Sequence, residues 1–438
     1  MKSSHLVGLS TFQFLAFFRR AIFYTFVIVY LRENMGLTTT QVTLLGTIGM
    51  IANTATQTLI WGRLLDRFHK PSWFISIGEG LAGVGHILVY FWHKSEIMNH
   101  NLLLGGFSII FGLAGIEVFW SMSNVGWSAI ISDLTKEEER SQLMALLSFI
   151  GGIGGLVGAS IGGFLFLDGK GFSEGLLFYI PALIMVLSGL LVAISIKQKD
   201  VDQAMEVING KNQMSTGEVP ELYKRFKEIP NHRLITMFLI ALILINFGRN
   251  SVILITQLYL ASDNGFNVGG EGLGLFRNIS SIAVMFWSFL LNTKALKKKE
   301  PQMFILGVIS AMVGFFWLIF APSFELSLIS AFLIGTAQIV IQVTSYSLIS
   351  SLIPPDWRGR IFSWYNATFM LSFGIAGTLI TGPISDYMIY SIGTTDLQAY
   401  RVAFMAAIII VMVGLVFYFP LGRIFDNRNT PDKKPIFN

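Results

Sequence analysis

The stretch FRRAIFYTFVIVYLRENMG, Phe18–Gly36, decides the fold, because its pattern returns later in the chain as FGRNSVILITQLYLASDNG, Phe247–Gly265. Phe18, Arg20, Tyr30, Leu31 and Gly36 fall in register on Phe247, Arg249, Tyr259, Leu260 and Gly265. Each copy is a long apolar run that contains an arginine, and an ionised side chain at the bilayer centre costs at least about 2.5–3.5 kcal/mol. A charge kept at that cost implies use. Its recurrence implies two similar halves, each opening on the same charged helix.

Composition sets the class. Over 438 residues the chain is 53% hydrophobic and 13% charged, with mean hydropathy +0.63; a soluble domain carries about a quarter charged residues. It reads as an all-α polytopic membrane protein. The absence of cysteine removes disulfides and thiolate metal sites. The first apolar run, from Leu6, is too long for a cleavable signal and continues as a spanning helix.

Apolar runs of roughly 20 residues, enough to cross about 30 Å of hydrocarbon, predict twelve transmembrane helices near 7–31, 40–61, 72–92, 101–131, 143–167, 175–196, 234–260, 272–292, 302–321, 326–352, 361–385 and 400–420. Placing both termini in the cytoplasm leaves only Arg32, Lys94, Lys170 and Arg401 in the outer segments. The positive-inside rule selects that topology. The net charge of +5 is therefore a topology signal, not a nucleic-acid patch.

The expected domains are an N-terminal six-helix bundle (1–196), a cytoplasmic linker (197–233) with an interfacial helix at Pro220–Ile229, a C-terminal six-helix bundle (234–425) and a cytoplasmic tail (426–438). The halves match beyond their opening stretches: Gly155, Gly158 and Gly163 align with Gly374, Gly377 and Gly382 at a constant offset, and the loops LTKEEERSQ and IPPDWRGRI correspond. Two pseudo-symmetric six-helix bundles are a transporter architecture, with substrate bound near the midplane.

The segment WGRLLDRFHK, Trp61–Lys70, between the second and third helices resembles the signature of the major facilitator superfamily, commonly written G-x-x-x-D-R-x-G-R-K. Gly62, Asp66, Arg67 and Lys70 match it, and Phe68 and His69 depart from it. The resemblance covers residues 6–425. It implies a gating role for Gly62, Asp66, Arg67 and Lys70, with Asp66 and Arg67 latching the cytoplasmic side shut. In the second half, Ala295 stands where the aspartate would fall, so the latch is one-sided. GGIGGLVGASIGGFL, Gly151–Leu165, resembles the antiporter motif of that family, with Ala159 in place of its proline, and Pro354–Pro383 is similar to a region of drug and siderophore exporters. Small residues at these spacings also make a helix-packing seam.

In the superfamily's packing the first, fourth, seventh and tenth helices line the central cavity, and near their midpoints stand Arg20, Glu117, Arg249 and Gln338. These are the expected substrate contacts, joined by Gln342, Tyr346, Asn246 and Tyr24, with Asn53 and Gln57 as further hydrogen-bonding groups. Arg20 and Glu117 either form a fixed pair or meet ligand separately; Arg249, without an evident acidic partner on its half, calls for an anionic ligand or for Glu117. Glu117 is the expected proton carrier. Glu79, seven residues from His86 on one face of the third helix, is either an interhelical contact or a second proton site.

The sequence thus implies a monomeric secondary transporter of the cell membrane that exports amphipathic small molecules by proton antiport. It needs no cofactor, its partners being substrate, proton and lipid. Uptake or facilitated transport of an organic anion is one alternative; a transporter-like binding or lipid-handling protein without ion coupling is another. No G-x-x-x-x-G-K-[ST] loop is present to bind ATP phosphates, and no H-E-x-x-H pair argues for an enzyme.

Overall fold

The computed structural model describes residues 3–135, 137–197, 199, 226–229, 231–291, 293, 299–353 and 358–428. Regular structure among these is helical throughout. In chain order the long helices are α1 (Ser4–Asn34), α2 (39–68), α3 (Pro71–Met98), α4 (Leu102–Ile131), α5 (Leu146–Ser173), α6 (Leu176–Ser195), α7 (His232–Ala261), α8 (Gly270–Leu291), α9 (Glu300–Phe320), α10 (Phe324–Ser350), α11 (Ile361–Ile392) and α12 (Asp396–Gly422). Eleven of them are long and apolar enough to cross a membrane. The remaining one, α2, is unbroken helix in segments of 18, 5 and 7 residues, and its Thr, Asn and Gln side chains lower its hydropathy. With it the expected twelve are in place.

Local chemistry sets the helix starts. Thr38 opens α2 with a capping box: its hydroxyl accepts from Gln41 N–H at 3.3 Å, and the Gln41 side chain accepts from Thr38 N–H at 2.9 Å. Asn101 caps α4 and Ser323 caps α10 through their side-chain oxygens. At the end of the short helical segment Gly62–Phe68, His69 takes the left-handed conformation (φ 52°), which normally favours glycine.

Two compact units divide the chain. One comprises Met1–Gly217 and Leu260–Asn278, the other Glu218–Tyr259 and Ile279–Asn438. Residues 220–225 of the expected interfacial helix, Ala295, residues 354–357 and the tail from 429 lie outside those described; Phe226–Glu228 form one 3₁₀ turn.

In the first unit the glycines of α5 set the packing. A Cβ at Gly154 would stand 2.2 Å from the Phe14 carbonyl oxygen, and one at Gly158 2.3 Å from that of Phe18. Helices α1 and α5 therefore touch backbone to backbone. The same helix meets the start of α8, where a Cβ at Gly163 would lie 2.6 Å from the Gly270 carbonyl oxygen, and one at Gly274 2.6 Å from that of Ala159. Van der Waals contact at this range replaces the hydrophobic drive that lipid removes.

The repeated tyrosines do equivalent work. Tyr30 Oη lies 2.8 Å from His93 Nε2, tying α1 to α3. Tyr259 donates to the Leu318 carbonyl at 3.1 Å, tying α7 to α9 in the second unit. Helix α7 is interrupted at Val252, running as His232–Ser251 and then Ile253–Ala261. The break falls just beyond Arg249.

Gly158→Val is expected to force α1 and α5 apart and to cost about 1–3 kcal/mol, the range for overpacking. Gly155→Ala, with nothing within 4 Å of its added carbon, is expected to hold or slightly raise the midpoint. Thermal unfolding of both variants in detergent checks the contrast.

Candidate functional site

Consecutive arginines on α1 diverge. Arg19 is 5% exposed, and its terminal nitrogen meets Glu79 Oε1 of α3 at 3.0 Å. Glu79 is fully buried and also accepts from Ser123 of α4 at 2.8 Å and Ser188 of α6 at 3.5 Å. One carboxylate thus gathers donors from three helices. Such a pair loses its hydration on insertion, and the hydroxyls occupy the lone pairs the arginine leaves free.

Arg20 does not join that network. Its side chain is exposed, with its guanidinium carbon 4.0 Å from the centre of the Trp120 ring, a cation–π contact. No ion pair joins it to Glu117 among the described residues; the pairing there is Arg19 with Glu79. Glu117 is half-buried and accepts instead from Asn53 of α2 at 2.7 Å and from Tyr24 of α1 at 3.3 Å. Asn53 and Tyr24 are neutral donors, so they orient the carboxyl without supplying a counter-charge.

In the second unit Arg249 is buried at 7% exposure. One terminal nitrogen donates to Asn246 Oδ1 at 3.2 Å, and Asn246 in turn donates to Thr368 of α11 at 3.3 Å. Its Nε–H has no acceptor among the described residues. No carboxylate pairs with this cation there. Gln338, Gln342 and Tyr346 on α10 are exposed, and Tyr346 stacks on Phe362 at 4.9 Å between ring centres. Tyr365 spans the gap between α10 and α11, 3.0 Å from Ser345 Oγ and donating to the Gln342 carbonyl at 3.1 Å.

Gly62, Asp66, Arg67 and Lys70 sit at and beyond the end of α2; Asp66, Arg67 and Lys70 are exposed, with Lys70 4.8 Å from the Trp73 ring centre. Gln57 begins a π-helical turn, Gln57–Trp61. Two contacts were beyond the reach of sequence: the selection of Arg19 for Glu79, and the use of Trp120 as the platform for Arg20. Adjacent helix positions differ by about 100° in direction, which does not tell which partner each arginine takes; both guanidinium carbons lie near the Trp120 ring, that of Arg19 at 4.8 Å and that of Arg20 at 4.0 Å. Among the described residues no group of three or more His, Asp or Glu could hold a metal.

The first unit therefore presents a cluster of charged groups, and the second a buried arginine with neutral polar neighbours, among apolar spanning helices; polar groups kept at membrane depth belong to the construction of a helical membrane transporter. A family model of the Major Facilitator Superfamily matches residues 9–377, and the chain belongs to that superfamily. Its function is transport, not catalysis. Among solved structures, the fold is similar to that of a bacterial homologue of the human lysosomal transporter Spinster in an inward-facing, unoccupied conformation (TM-score 0.66, 14% identity, 98% of this chain and 100% of that one). It is also similar to the nucleoside transporter NupG (0.67, 13%, 95% and 99%) and to a peptide transporter, POT, in complex with sulfate (0.65, 13%, 96% and 95%). At such identities the likeness is one of fold. No curated protein matches the chain in sequence.

Arg19→Met leaves the Glu79 charge buried without its counter-ion and is expected to destabilise by about 3–5 kcal/mol. The double variant Arg19→Met/Glu79→Leu removes both charges and is expected to recover most of that loss. Unfolding midpoints of the single and double variants measure the difference.

Proposed function

We propose that the protein is a proton-coupled secondary transporter that exports amphipathic small molecules, with Glu117 as proton carrier. The observation that carries this reading is the Glu117 carboxyl held by two neutral donors, Asn53 and Tyr24, while the nearby Arg20 rests on Trp120. A carboxyl so held keeps its orientation in either protonation state. Its charge then depends on what occupies the space around it: a cationic or zwitterionic substrate favours the carboxylate and releases a proton, and substrate departure favours recapture. Glu79, committed to Arg19 and two serines, is assigned a structural role.

The antiporter-like glycine run of α5 supports export. Asp66 and Arg67 are proposed to close the cytoplasmic side, and the lysine and arginine distribution supports cytoplasmic termini in the cell membrane. Transport as a monomer is part of the same proposal.

One observation favours a second reading. Arg249 is a buried cation whose Nε–H has no acceptor among the described residues, and a charge in that position is stabilised by an anionic group. Movement of an organic anion would use it directly.

Purified protein in liposomes with an imposed pH gradient and an internal pH-sensitive dye tests both. Amphipathic cations or zwitterions are expected to dissipate the gradient through the wild type, and Glu117→Gln to fall to the level of empty liposomes. Response to anions alone, lost in Arg249→Gln and kept in Glu117→Gln, would replace export with anion transport.

A further inference from the structure

The hairpin of α3 and α4 carries a groove that takes no part in the charged sites above. Its volume is about 430 Å³, and it is lined by Trp92 and Glu96 of α3 and by Leu104, Phe107, Ser108 and Phe111 of α4. That volume falls within the roughly 300–1,000 Å³ of ligand pockets. Trp92, Leu104 and Phe111 are exposed, as are the neighbouring Phe91 and Leu103, and so large an apolar face on two spanning helices is a surface for acyl chains. Deeper along the hairpin the helices close up, where a Cβ at Gly112 would stand 2.4 Å from Val89 Cγ2. Glu96 is the one charged side chain in the lining. It stands one helical turn beyond Trp92, toward the polar hairpin tip Asn99–His100–Asn101. Among the described residues no lysine or arginine pairs with it; Lys94, two positions earlier, donates instead to Tyr90 Oη at 3.0 Å.

We propose that this groove binds a phospholipid with an amine headgroup, its ammonium on Glu96 and Trp92 and one acyl chain along Leu104, Phe107 and Phe111. The order of the lining residues matches the order of parts in such a lipid. The carboxylate stands nearest the polar tip, the tryptophan at the level such rings take at a membrane interface, and the phenylalanine deepest. An ammonium gains attraction to a carboxylate that strengthens as its surroundings become less polar, and attraction to the face of an indole. The same carboxylate repels a headgroup of net negative charge. The groove opens onto the bilayer, which supplies amine phospholipids at high local concentration. The inference stands whichever substrate the protein carries.

Photolabelling of the full chain in phosphatidylglycerol nanodiscs tests it. Traces of phosphatidylethanolamine or phosphatidylglycerol, carrying the same photoactivatable acyl chain, are added in turn, and labelled peptides are read by mass spectrometry. The ethanolamine probe is expected to label residues 92–111 severalfold more than the glycerol probe. Glu96→Gln is expected to make the two equal, and Glu96→Asp to keep the difference. Equal labelling in the wild type, or a preference that survives Glu96→Gln, would overturn the proposal. An excess of unlabelled phosphatidylethanolamine is expected to remove the extra label; removal by dodecylamine as readily would assign the groove to free amphipathic cations and overturn the lipid as its occupant. If Glu96→Gln does not fold, the wild-type contrast and the competition decide.

Discussion

Charge in hydrocarbon is the constraint on which the rest of this molecule depends. Each ionisable group placed at membrane depth needs a counter-ion, a ring face or neutral hydrogen-bonding groups around it, and the first unit shows all three solutions close to one another. Arg19 finds Glu79, Arg20 finds the face of Trp120, and Glu117 keeps an orientation without a counter-ion through Asn53 and Tyr24. The Arg19–Glu79 pair, gathering Ser123 and Ser188, joins helices α1, α3, α4 and α6. A strut of that kind holds the backbone under the less constrained pair beside it.

The internal repeat shows what duplication preserves and what it frees. Tyr30 and Tyr259 still tie the first helix of each half to the third, although one uses a histidine and the other a backbone carbonyl. Arg20 and Arg249 hold the same register but not the same surroundings. The first is exposed on a tryptophan, and the second is buried against Asn246 with a break in its helix at Val252. Packing positions tolerate little change because the gaps between helices are set by backbone contact, as at Gly154 and Gly158. Arg20 and Arg249 are not held by backbone contact of that kind and meet different neighbours.

That difference explains what was legible in the sequence. Spanning helices announce themselves by length and apolarity, and α2 lay within reach only because its Thr- and Asn-bearing run sits between clear neighbours. The glycine spacing of α5 foretold a close helix contact. It did not reveal that α5 would serve two partners, α1 and the start of α8. Arg20, Glu117 and Arg249 stood out as charges in apolar runs, whereas the choice of Arg19 for Glu79 depends on the rotation of two helices about their axes. A fixed Arg20–Glu117 pair was one reading of the spacing; the ring of Trp120 and the amide of Asn53 take those two groups instead.

The account turns on Glu117 changing its protonation when substrate arrives. The direct measurement is proton release on ligand binding by the purified protein in weakly buffered detergent, followed with a pH indicator, in the wild type and in Glu117→Gln. The account predicts release of about one proton per amphipathic cation or zwitterion bound by the wild type, and none by the variant at ligand saturation. Binding without proton release in the wild type, or undiminished release in Glu117→Gln, would contradict it.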